Sequence, residues 1–210
     1  MIRSGRALDI FESRLRSIVD SAIDVLDIGT SERFAKELRP YEDLFLGRRY
    51  IAAGFQPSSE YGQYNCDMHQ DIQAMTIKDD SFDLVICLEV LEHVRNPFKA
   101  VDEIKRVLRP GGTLFLTVPF LTQYHGKNGS SAKHSEYPDF WRFTHQGLQI
   151  LFENFQELEV IPLDGPIEFR LKQFYFTPLL DTRFIRQLID LIDQPKIGKA
   201  TTRHLVIGKK

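Results

Sequence analysis

Residues 82–94 read FDLVICLEVLEHV. The run Phe82–Leu88 is almost continuously hydrophobic, which is typical of a β-strand buried on both faces of a parallel sheet. Two carboxylates and an imidazole follow it at once, at Glu89, Glu92 and His93. In an open α/β sheet the ligand binds beyond the carboxyl ends of the strands, near the point where the strand order reverses. The stretch therefore predicts a central strand with a candidate site at its end.

The sequence on either side of this strand alternates between helix and strand patterns. A helix over 7–23 leads into a strand at 25–28, and a helix over 97–108 leads into a strand at 113–118. Such alternation favours an α/β fold with a doubly wound, mostly parallel sheet and helices on both faces. We also expect a short helix over 31–38, strands at 50–53, 65–68, 157–162 and 202–207, and helices over 145–153 and 177–193.

The chain of 210 residues fits a single domain over 1–210, with 42% hydrophobic and 27% charged residues. That balance is typical of soluble globular proteins. We expect 119–144 to form a loop on the substrate side and 168–200 a helical insertion before the last strand. The start of the chain lacks the apolar core of a secretory signal, and no stretch reaches the roughly 20 apolar residues that span a bilayer. These features and the two cysteines predict a cytoplasmic protein with reduced thiols.

Further motifs flank the central strand at characteristic spacing. Asp71-Ile72 precedes it, RVLRPGG stands at 106–112, and Pro119 ends the next strand. Together with FDLVICLEVLEHV they resemble the type 11 family of class I S-adenosylmethionine-dependent methyltransferases. A block at 137–144, YPDFWRFT, resembles a subset encoded with bacterial polysaccharide and glycan-assembly genes. The resemblance implies a Rossmann-like, seven-stranded sheet and methyl transfer from S-adenosylmethionine.

The resemblance also implies a set of cofactor-binding residues. The loop after the first strand would hold the methionine part, Asp71 would accept a hydrogen bond from the adenine amino group, and Ile72 would contact the ring. The end of the central strand would line the sulfonium, which prefers carboxylate or carbonyl surroundings. The cofactor-binding residues expected on this basis are Asp27, Gly29, Thr30, Ser31, Gly54, Asp71, Ile72, Leu88 and Glu89.

Two positions depart from the family pattern. The loop after the first strand has one glycine, Gly29, and residues 30–33 replace the later ones. Gly54 stands where an acidic residue normally binds the ribose hydroxyls. Gln56, Ser58 or Glu60 could substitute for that acid.

Methyl transfer is a single in-line displacement, for which an enzyme supplies orientation and, with a hydroxyl acceptor, a general base. The candidate catalytic residues are His93, His125, His134, Asp139 and Arg142. His93 would otherwise have a structural role, and Asp139 with Arg142 would otherwise shape the pocket. Tyr137, Phe140 and Trp141 could stack on a sugar or aromatic acceptor, or anchor the loop.

A metal site is an alternative use of the motif that follows the central strand. Glu89, Glu92 and His93 are spaced to share one helix face, and such groups can hold a divalent ion. Some quinone-pathway O-methyltransferases that the sequence resembles here use a metal at this motif. Most relatives with the same residues do not, so we predict no metal.

Other functions were weighed against methyl transfer. A nicotinamide dehydrogenase would need two more glycines after Gly29 and an acid at the end of the second strand. Nucleic acid is not expected as a partner, because 88–91 lacks the Asn/Asp-Pro-Pro-aromatic sequence of base-amine methyltransferases. We therefore expect methylation, on oxygen, of a small-molecule or glycan acceptor, with a homodimer through 177–193 left open. The alternative is a catalytically degenerate binding or regulatory module on the same fold.

Overall fold

A computed structural model of the protein describes residues 5–34, 37–55, 65–126, 137–165, 189, 192 and 201–210. Within these residues the sheet has seven strands, flanked by α-helices and by two short 3-10 helices, Arg39–Phe45 and Leu91–His93. The remaining elements are α1 (Gly5–Val19), β1 (Asp24–Ile28), β2 (Arg49–Gly54), β3 (Met68–His69), β4 (Phe82–Leu88), α2 (Pro97–Val107), β5 (Leu108–Pro119), α3 (His145–Leu151), β6 (Gln156–Pro162) and β7 (Arg203–Lys209).

The strand order across the sheet is β3-β2-β1-β4-β5-β7-β6. The first five of these strands are parallel, whereas β7 runs antiparallel between β5 and β6. The order reverses between β1 and β4, so the carboxyl ends of these two strands form the switch point where ligands bind in such sheets. The predicted fold class, a mostly parallel seven-stranded Rossmann-like sheet, is confirmed.

Two hydrophobic cores hold helices on opposite faces of the sheet. On one face α1 buries Ala7, Phe11, Leu15 and Val19, which recur every four residues and so lie along one side of the helix. On the other face α2 buries its own stripe, and α3 packs beside it. Helix starts are fixed by side-chain caps, because Asn96 accepts from the Lys99 amide and Thr144 from the Gly147 amide.

The predicted short helix over 31–38 is wrong. The described residues of this stretch form turns, and the 3-10 helix Arg39–Phe45 follows them. The Thr30 hydroxyl donates to the Glu32 carbonyl, and the Asn65 amide donates to the Ser31 carbonyl. These bonds tie the segment to the chain before β3, where helical hydrogen bonding is not available to it.

The strand predicted at 113–118 begins earlier, at Leu108. The Arg109-Pro110-Gly111-Gly112 sequence lies inside β5 as an irregularity, between the pairs Phe82↔Leu108 and Leu84↔Thr113. Gly111 has a φ of +77°, and Lys210 exchanges backbone hydrogen bonds with Gly111 and Gly112. Pairing with the chain end after β7 therefore extends β5 back through the Pro110-Gly111-Gly112 sequence, which would otherwise separate helix and strand.

Two predictions fall largely or wholly outside the described residues. His134 belongs to the part of the loop that is not described, and of the helix expected over 177–193 only Ile189 and Ile192 are described, both helical. In the described part of the chain, no helix is long and apolar enough to cross a membrane.

Candidate active site

Glu89 stands directly after β4 in a strained conformation. Its φ is +56°, a left-handed value that costs a non-glycine residue about 1 kcal/mol or more. The Glu89 amide donates to the Thr117 carbonyl of β5 at 3.0 Å, which holds the residue at the switch point. Its Oε1 atom is buried with no hydrogen-bond partner. A strained residue that points a bare carboxylate oxygen inward is typical of a ligand-binding position.

At the end of β1, Gly29 is required by close packing. Its φ is +88°, and a Cβ atom there would lie 2.3 Å from Cγ2 of Val90. The preceding Asp27 is buried and accepts a hydrogen bond from the Tyr50 hydroxyl at 2.5 Å. Burial raises the pKa of Asp27 to about 7, although the Tyr50 hydroxyl opposes the rise. The structure thus gives one Asp27 oxygen a partner within the protein.

The loop after β1 lies across the end of β2. The amides of Gly29 and Thr30 both donate to the Ala53 carbonyl, at 2.7 and 3.3 Å. Ser31 is exposed, and its carbonyl accepts from Asn65. No helix begins in the described part of this loop, and its first two amides are bonded to Ala53, so they are not free to bind the methionine part as expected.

Gly54 has a packing role that explains the missing acid of β2. A Cβ atom at Gly54 would lie 2.5 Å from the Thr30 carbonyl oxygen and 3.1 Å from Sγ of Cys66. No side chain fits there while the loop holds this position. Gln56, Ser58 and Glu60, the residues that could replace the acid, lie outside the described residues.

Asp71 and Ile72 lie on the loop that follows β3. Oδ1 of Asp71 accepts from the Gln73 amide at 2.9 Å and from the Gln73 side chain at 3.3 Å. Ile72 is buried against the core on the α2 face, whereas Leu88 at the end of β4 is partly buried against the α1 face. Asp71 therefore fixes a local turn, and its predicted adenine contact stays a prediction.

On the acceptor side, Glu92 is a fully buried carboxyl group. Within the described residues neither of its oxygens has a hydrogen-bond partner, and two imidazole nitrogens, Nε2 of His93 and Nε2 of His125, each lie 3.7 Å from Oε1. Burial raises the pKa of Glu92 to about 7, against the lowering effect of His125. A carboxyl group in this state can exchange a proton near neutral pH.

His125 lies between two carboxylates. Its Nε2 faces Glu92, whereas its Nδ1 is 3.4 Å from Oδ2 of Asp139 and 3.3 Å from the Gln123 carbonyl. Asp139 also accepts from the His125 amide and forms a two-bond ion pair with Arg142, at 2.5 and 2.7 Å. The Glu92 carboxylate raises the pKa of His125 above its ordinary value, which burial opposes and Asp139 reinforces.

The block 137–144 is anchored to the turn that contains Glu92. The amides of Phe140 and Trp141 donate to the Glu92 carbonyl, at 2.7 and 3.3 Å, and the Trp141 indole donates to the Val94 carbonyl at 2.8 Å. Nδ1 of His93 lies 2.6 Å from the Pro138 carbonyl. Phe140 and Trp141 nevertheless remain exposed, by 43% and 42%. Anchoring and acceptor stacking are therefore compatible for these two rings.

Glu92, His93 and His125 could also act as metal ligands. Each offers one ligand atom, and these atoms lie within 4.8 Å of one another. The group differs from the alternative set Glu89, Glu92 and His93 that was set aside on sequence, because His125 of the loop takes the place of Glu89. The same three side chains are the acid–base cluster described above.

Sequence reasoning missed two features of this site. Glu92 was considered only as a metal ligand, and nothing in the sequence marks it as the buried centre of the cluster. Arg203, at the start of β7, lies at the same edge of the sheet as Glu89. The signal that could have found it is a cation directly before a buried antiparallel strand at the edge where ligands bind.

Comparisons with known proteins agree with this architecture. Residues 48–116 match the family described as Methyltransferase domain. An uncharacterized protein of Methanocaldococcus jannaschii is 48% identical over 48 residues, 23% of this chain and 21% of that protein. A ubiquinone biosynthesis O-methyltransferase of Coxiella burnetii is 37% identical over 54 residues, 26% of this chain and 22% of that enzyme. The chain thus spans about a fifth of the length of these curated relatives.

Solved structures extend the likeness to the whole fold. A Thermotoga maritima protein described as a SAM-dependent methyltransferase, possible histamine N-methyltransferase, aligns with a TM-score of 0.58 at 16% identity, over 98% of this chain and 90% of that one. The cofactor named for that protein is S-adenosylmethionine. At the end of β4 the described residues fit this cofactor, because the unbonded Glu89 oxygen suits a cationic ligand. At the loop after β1 they fit it less well, because the first two amides of the loop are bonded to Ala53. Residues 48–116 thus match a methyltransferase domain, within a fold that the chain shares with solved S-adenosylmethionine-dependent methyltransferases.

Proposed function

We propose that the protein transfers a methyl group from S-adenosylmethionine to an oxygen atom of a small or carbohydrate-like acceptor. The observation that carries this proposal is the arrangement of Glu92, His125 and Asp139 next to Glu89. It supplies a general base where a hydroxyl acceptor needs one, a few residues from the end of β4 where the cofactor fits. The similarity to an O-methyltransferase of ubiquinone biosynthesis supports oxygen as the methylated atom.

The surroundings of His125 favour one tautomer of its ring. Nδ1 lies 3.3 and 3.4 Å from two acceptor oxygens, of Gln123 and Asp139, and 3.5 Å from the donor Nη2 of Arg142, so the two closer acceptors favour the proton on Nδ1. Nε2 then has a lone pair, and at 3.7 Å Glu92 is too far away to form a hydrogen bond with it. Bound cofactor would supply the electrophilic methyl group. His125 Nε2 takes the proton of the acceptor hydroxyl, and the Glu92 carboxylate stabilises the resulting imidazolium.

Asp139 and Arg142 position the base. Their two-bond ion pair fixes the Asp139 carboxylate, whose side chain is fully buried, and Asp139 in turn accepts from the His125 amide. His93 holds the neighbouring loop through the Pro138 carbonyl. In this assignment His125 is the catalytic residue, and Asp139, Arg142 and His93 act through it.

Two exposed aromatic rings support a carbohydrate-like acceptor. Phe140 and Trp141 are held by backbone bonds to the Glu92 turn and remain exposed, although the Arg95 guanidinium lies over the Phe140 ring at 5.6 Å. Flat rings beside a few polar groups are a common way to bind sugar-like or aromatic ligands. The resemblance of 137–144 to methyltransferases of glycan gene clusters points to the same class.

A second candidate function is a binding or regulatory module on the methyltransferase fold. The loop after β1 favours it, since its first two amides are bonded to Ala53 and Gly54 leaves no room for an acid. Against it stand the strained Glu89 and the buried Glu92 carboxyl group, which cost stability and are explained by a role in binding and catalysis.

Calorimetric titration with S-adenosylmethionine and S-adenosylhomocysteine separates the two functions. We expect micromolar binding by the wild type, loss of binding in Asp71→Ala, and retention of part of it in Asp71→Asn, whose Oδ1 can still accept from Gln73. Transfer of a labelled methyl group to sugar-nucleotide and lipid-linked glycan acceptors then tests the acceptor class. No binding to millimolar cofactor would leave the module as the better explanation.

A further inference from the structure

Arg203 is the first residue of β7 and lies at the ligand-binding edge of the sheet. Because β7 is antiparallel to β5, its start meets the end of β5, where Arg203 is opposite Pro119. Side chains alternate along a strand, and Leu205 and Ile207 pack in the core on the α1 face. Arg203 shares their parity and therefore points to the α1 face, the side on which Phe34 and Leu38, later in the chain after β1, are packed.

The guanidinium of Arg203 is partly buried, and within the described part of the chain it makes no hydrogen bond or ion pair. Four carboxylates act on it through space, of which Glu89 is the strongest, ahead of Asp164, Glu37 and Glu92. Burial lowers the pKa of Arg203, and these carboxylates more than offset that effect. The cation is thus held in a negative field, with no bonded partner among the described residues.

Glu89 is the complementary half of this arrangement. Its amide is bonded to Thr117, two residues before the Pro119 that faces Arg203, so the two charged residues flank the end of β5. Oε1 of Glu89 is buried without a partner, and no ion pair joins Glu89 to Arg203. Two opposite charges that are neighbours but unbonded form a site for a ligand that carries both charges.

We propose that Arg203 binds the carboxylate of the amino-acid end of S-adenosylmethionine, with Glu89 facing its ammonium group. This inference rests on the proposed function, because it needs the cofactor to bind. The amino-acid end of the cofactor is a zwitterion and matches the Glu89 and Arg203 charges. The donors that would otherwise take its carboxylate are engaged, since the Gly29 and Thr30 amides donate to Ala53. A guanidinium binds a carboxylate with two parallel hydrogen bonds, so one side chain can replace a loop of amides.

Two other roles of Arg203 make different predictions. A contact with the acceptor would leave cofactor affinity unchanged on substitution. A purely electrostatic role, neutralising nearby acids, would on loss of the cation strengthen the binding of cationic S-adenosylmethionine and leave the affinity for ligands without net charge nearly unchanged. The ligand 5′-methylthioadenosine distinguishes these roles, because it keeps the nucleoside and thioether and lacks the amino-acid end.

The experiment is calorimetric titration of wild type, Arg203→Ala and Arg203→Lys with S-adenosylhomocysteine and with 5′-methylthioadenosine. Lys209→Ala is the matched control, since it removes an exposed cation near the other end of β7. We expect Arg203→Ala to weaken S-adenosylhomocysteine binding by about ten- to a hundredfold, the size of a lost charge-assisted contact. Binding of 5′-methylthioadenosine should change less than about twofold, and Arg203→Lys should fall between wild type and alanine.

The outcomes separate this inference from the proposed function. Equal losses for both ligands, or no loss for either, would overturn the assignment of Arg203 while wild-type binding still supports a methyltransferase. If the wild type binds neither nucleoside, the proposed function and this assignment fail together. Circular dichroism of each variant verifies that the fold is retained, so that a loss of affinity is a local effect.

Discussion

Nε2 of His125 lies 3.7 Å from Oε1 of Glu92, whose side chain has no exposed surface. The two groups come from different parts of the fold, the 3-10 helix after β4 and the loop after β5. Among the described residues neither oxygen of Glu92 is hydrogen-bonded, so the effect of burial on it outweighs the opposing effect of His125. This relationship has consequences for stability and for catalysis that can be measured separately.

The first prediction concerns stability. We expect Glu92→Gln to raise the free energy of unfolding at alkaline pH. The pKa of Glu92 is raised from 4.5 to about 7 in the folded state. A raised pKa means that the stabilising contribution of the protonated form is complete below pH 4.5 and is lost as the pH rises through 7. Glutamine mimics the protonated acid at every pH, so the variant should exceed wild type by about 1–3 kcal/mol at pH 8.

Urea unfolding at pH 4.5 and pH 8 measures this difference. The gap between variant and wild type should be small at pH 4.5 and open as the pH rises. Glu153→Gln, which changes an exposed glutamate, should show no such trend. A constant gap at both pH values would mean that Glu92 titrates normally in the folded protein.

The second prediction concerns the pH dependence of methyl transfer. His125 must be neutral to accept a proton, so the rate should rise with pH through its pKa, which lies above 6.5. Glu92 is the largest cause that raises this pKa, so Glu92→Gln should move the acidic limb of the rate profile to lower pH. His125→Ala should lower kcat by about 10²–10⁴-fold, the usual contribution of a general base.

The limb and the rate together test the role of His125. If the acidic limb stays in place in Glu92→Gln, Glu92 does not set the pKa of the catalytic base. If kcat is unchanged in His125→Ala, His125 is not the base. Asp139→Asn is informative beside them, because it keeps an acceptor for the His125 amide and removes the charge. We expect Asp139→Asn to lower kcat/KM modestly without abolishing methyl transfer.

The sequence predicted the sheet more completely than the site, for physical reasons. Strands such as β4 and β7 are hydrophobic on both faces, and that pattern is local, so Phe82–Leu88 was found within its bounds. The helix expected over 31–38 failed because its propensity was overridden by bonds to Asn65, which is distant in sequence. Glu92 and Arg203 were missed as site residues because burial and unpaired charge arise only when β4, β5 and β7 are side by side.

The third prediction concerns backbone strain at Glu89. Glycine adopts a φ of +56° freely, whereas alanine is as strained there as glutamate. Glu89→Gly should therefore be more stable than Glu89→Ala by about 1 kcal/mol, and both should lose affinity for S-adenosylmethionine. Thermal unfolding of the pair checks the first statement and calorimetry the second. Equal stability of the two variants would show that the left-handed conformation is not kept in solution.

The fourth prediction concerns metal removal. Three ligand atoms that include one carboxylate are too few for magnesium or calcium, which take about six or more oxygens and usually keep several waters. If the cluster acts as acid and base, EDTA should leave the rate of methyl transfer unchanged. Loss of activity that added zinc or magnesium restores would contradict this and would make Glu92, His93 and His125 metal ligands instead.

The fifth prediction concerns the acid that the second strand lacks. We expect Gly54→Asp, which restores the acid, to lower the free energy of unfolding and not to improve cofactor binding. The reason is that a Cβ atom there would lie 2.5 Å from the Thr30 carbonyl oxygen. Gly54→Ala isolates this collision from charge, and we expect it to cost about 1–3 kcal/mol, as overpacking does. Gly47→Ala is a useful comparison, since nothing lies within 4 Å of its Cβ position although its φ is +77°. Unfolding free energies of the three variants decide the matter. A stable Gly54→Asp with higher cofactor affinity would show that the loop moves aside when the ligand binds.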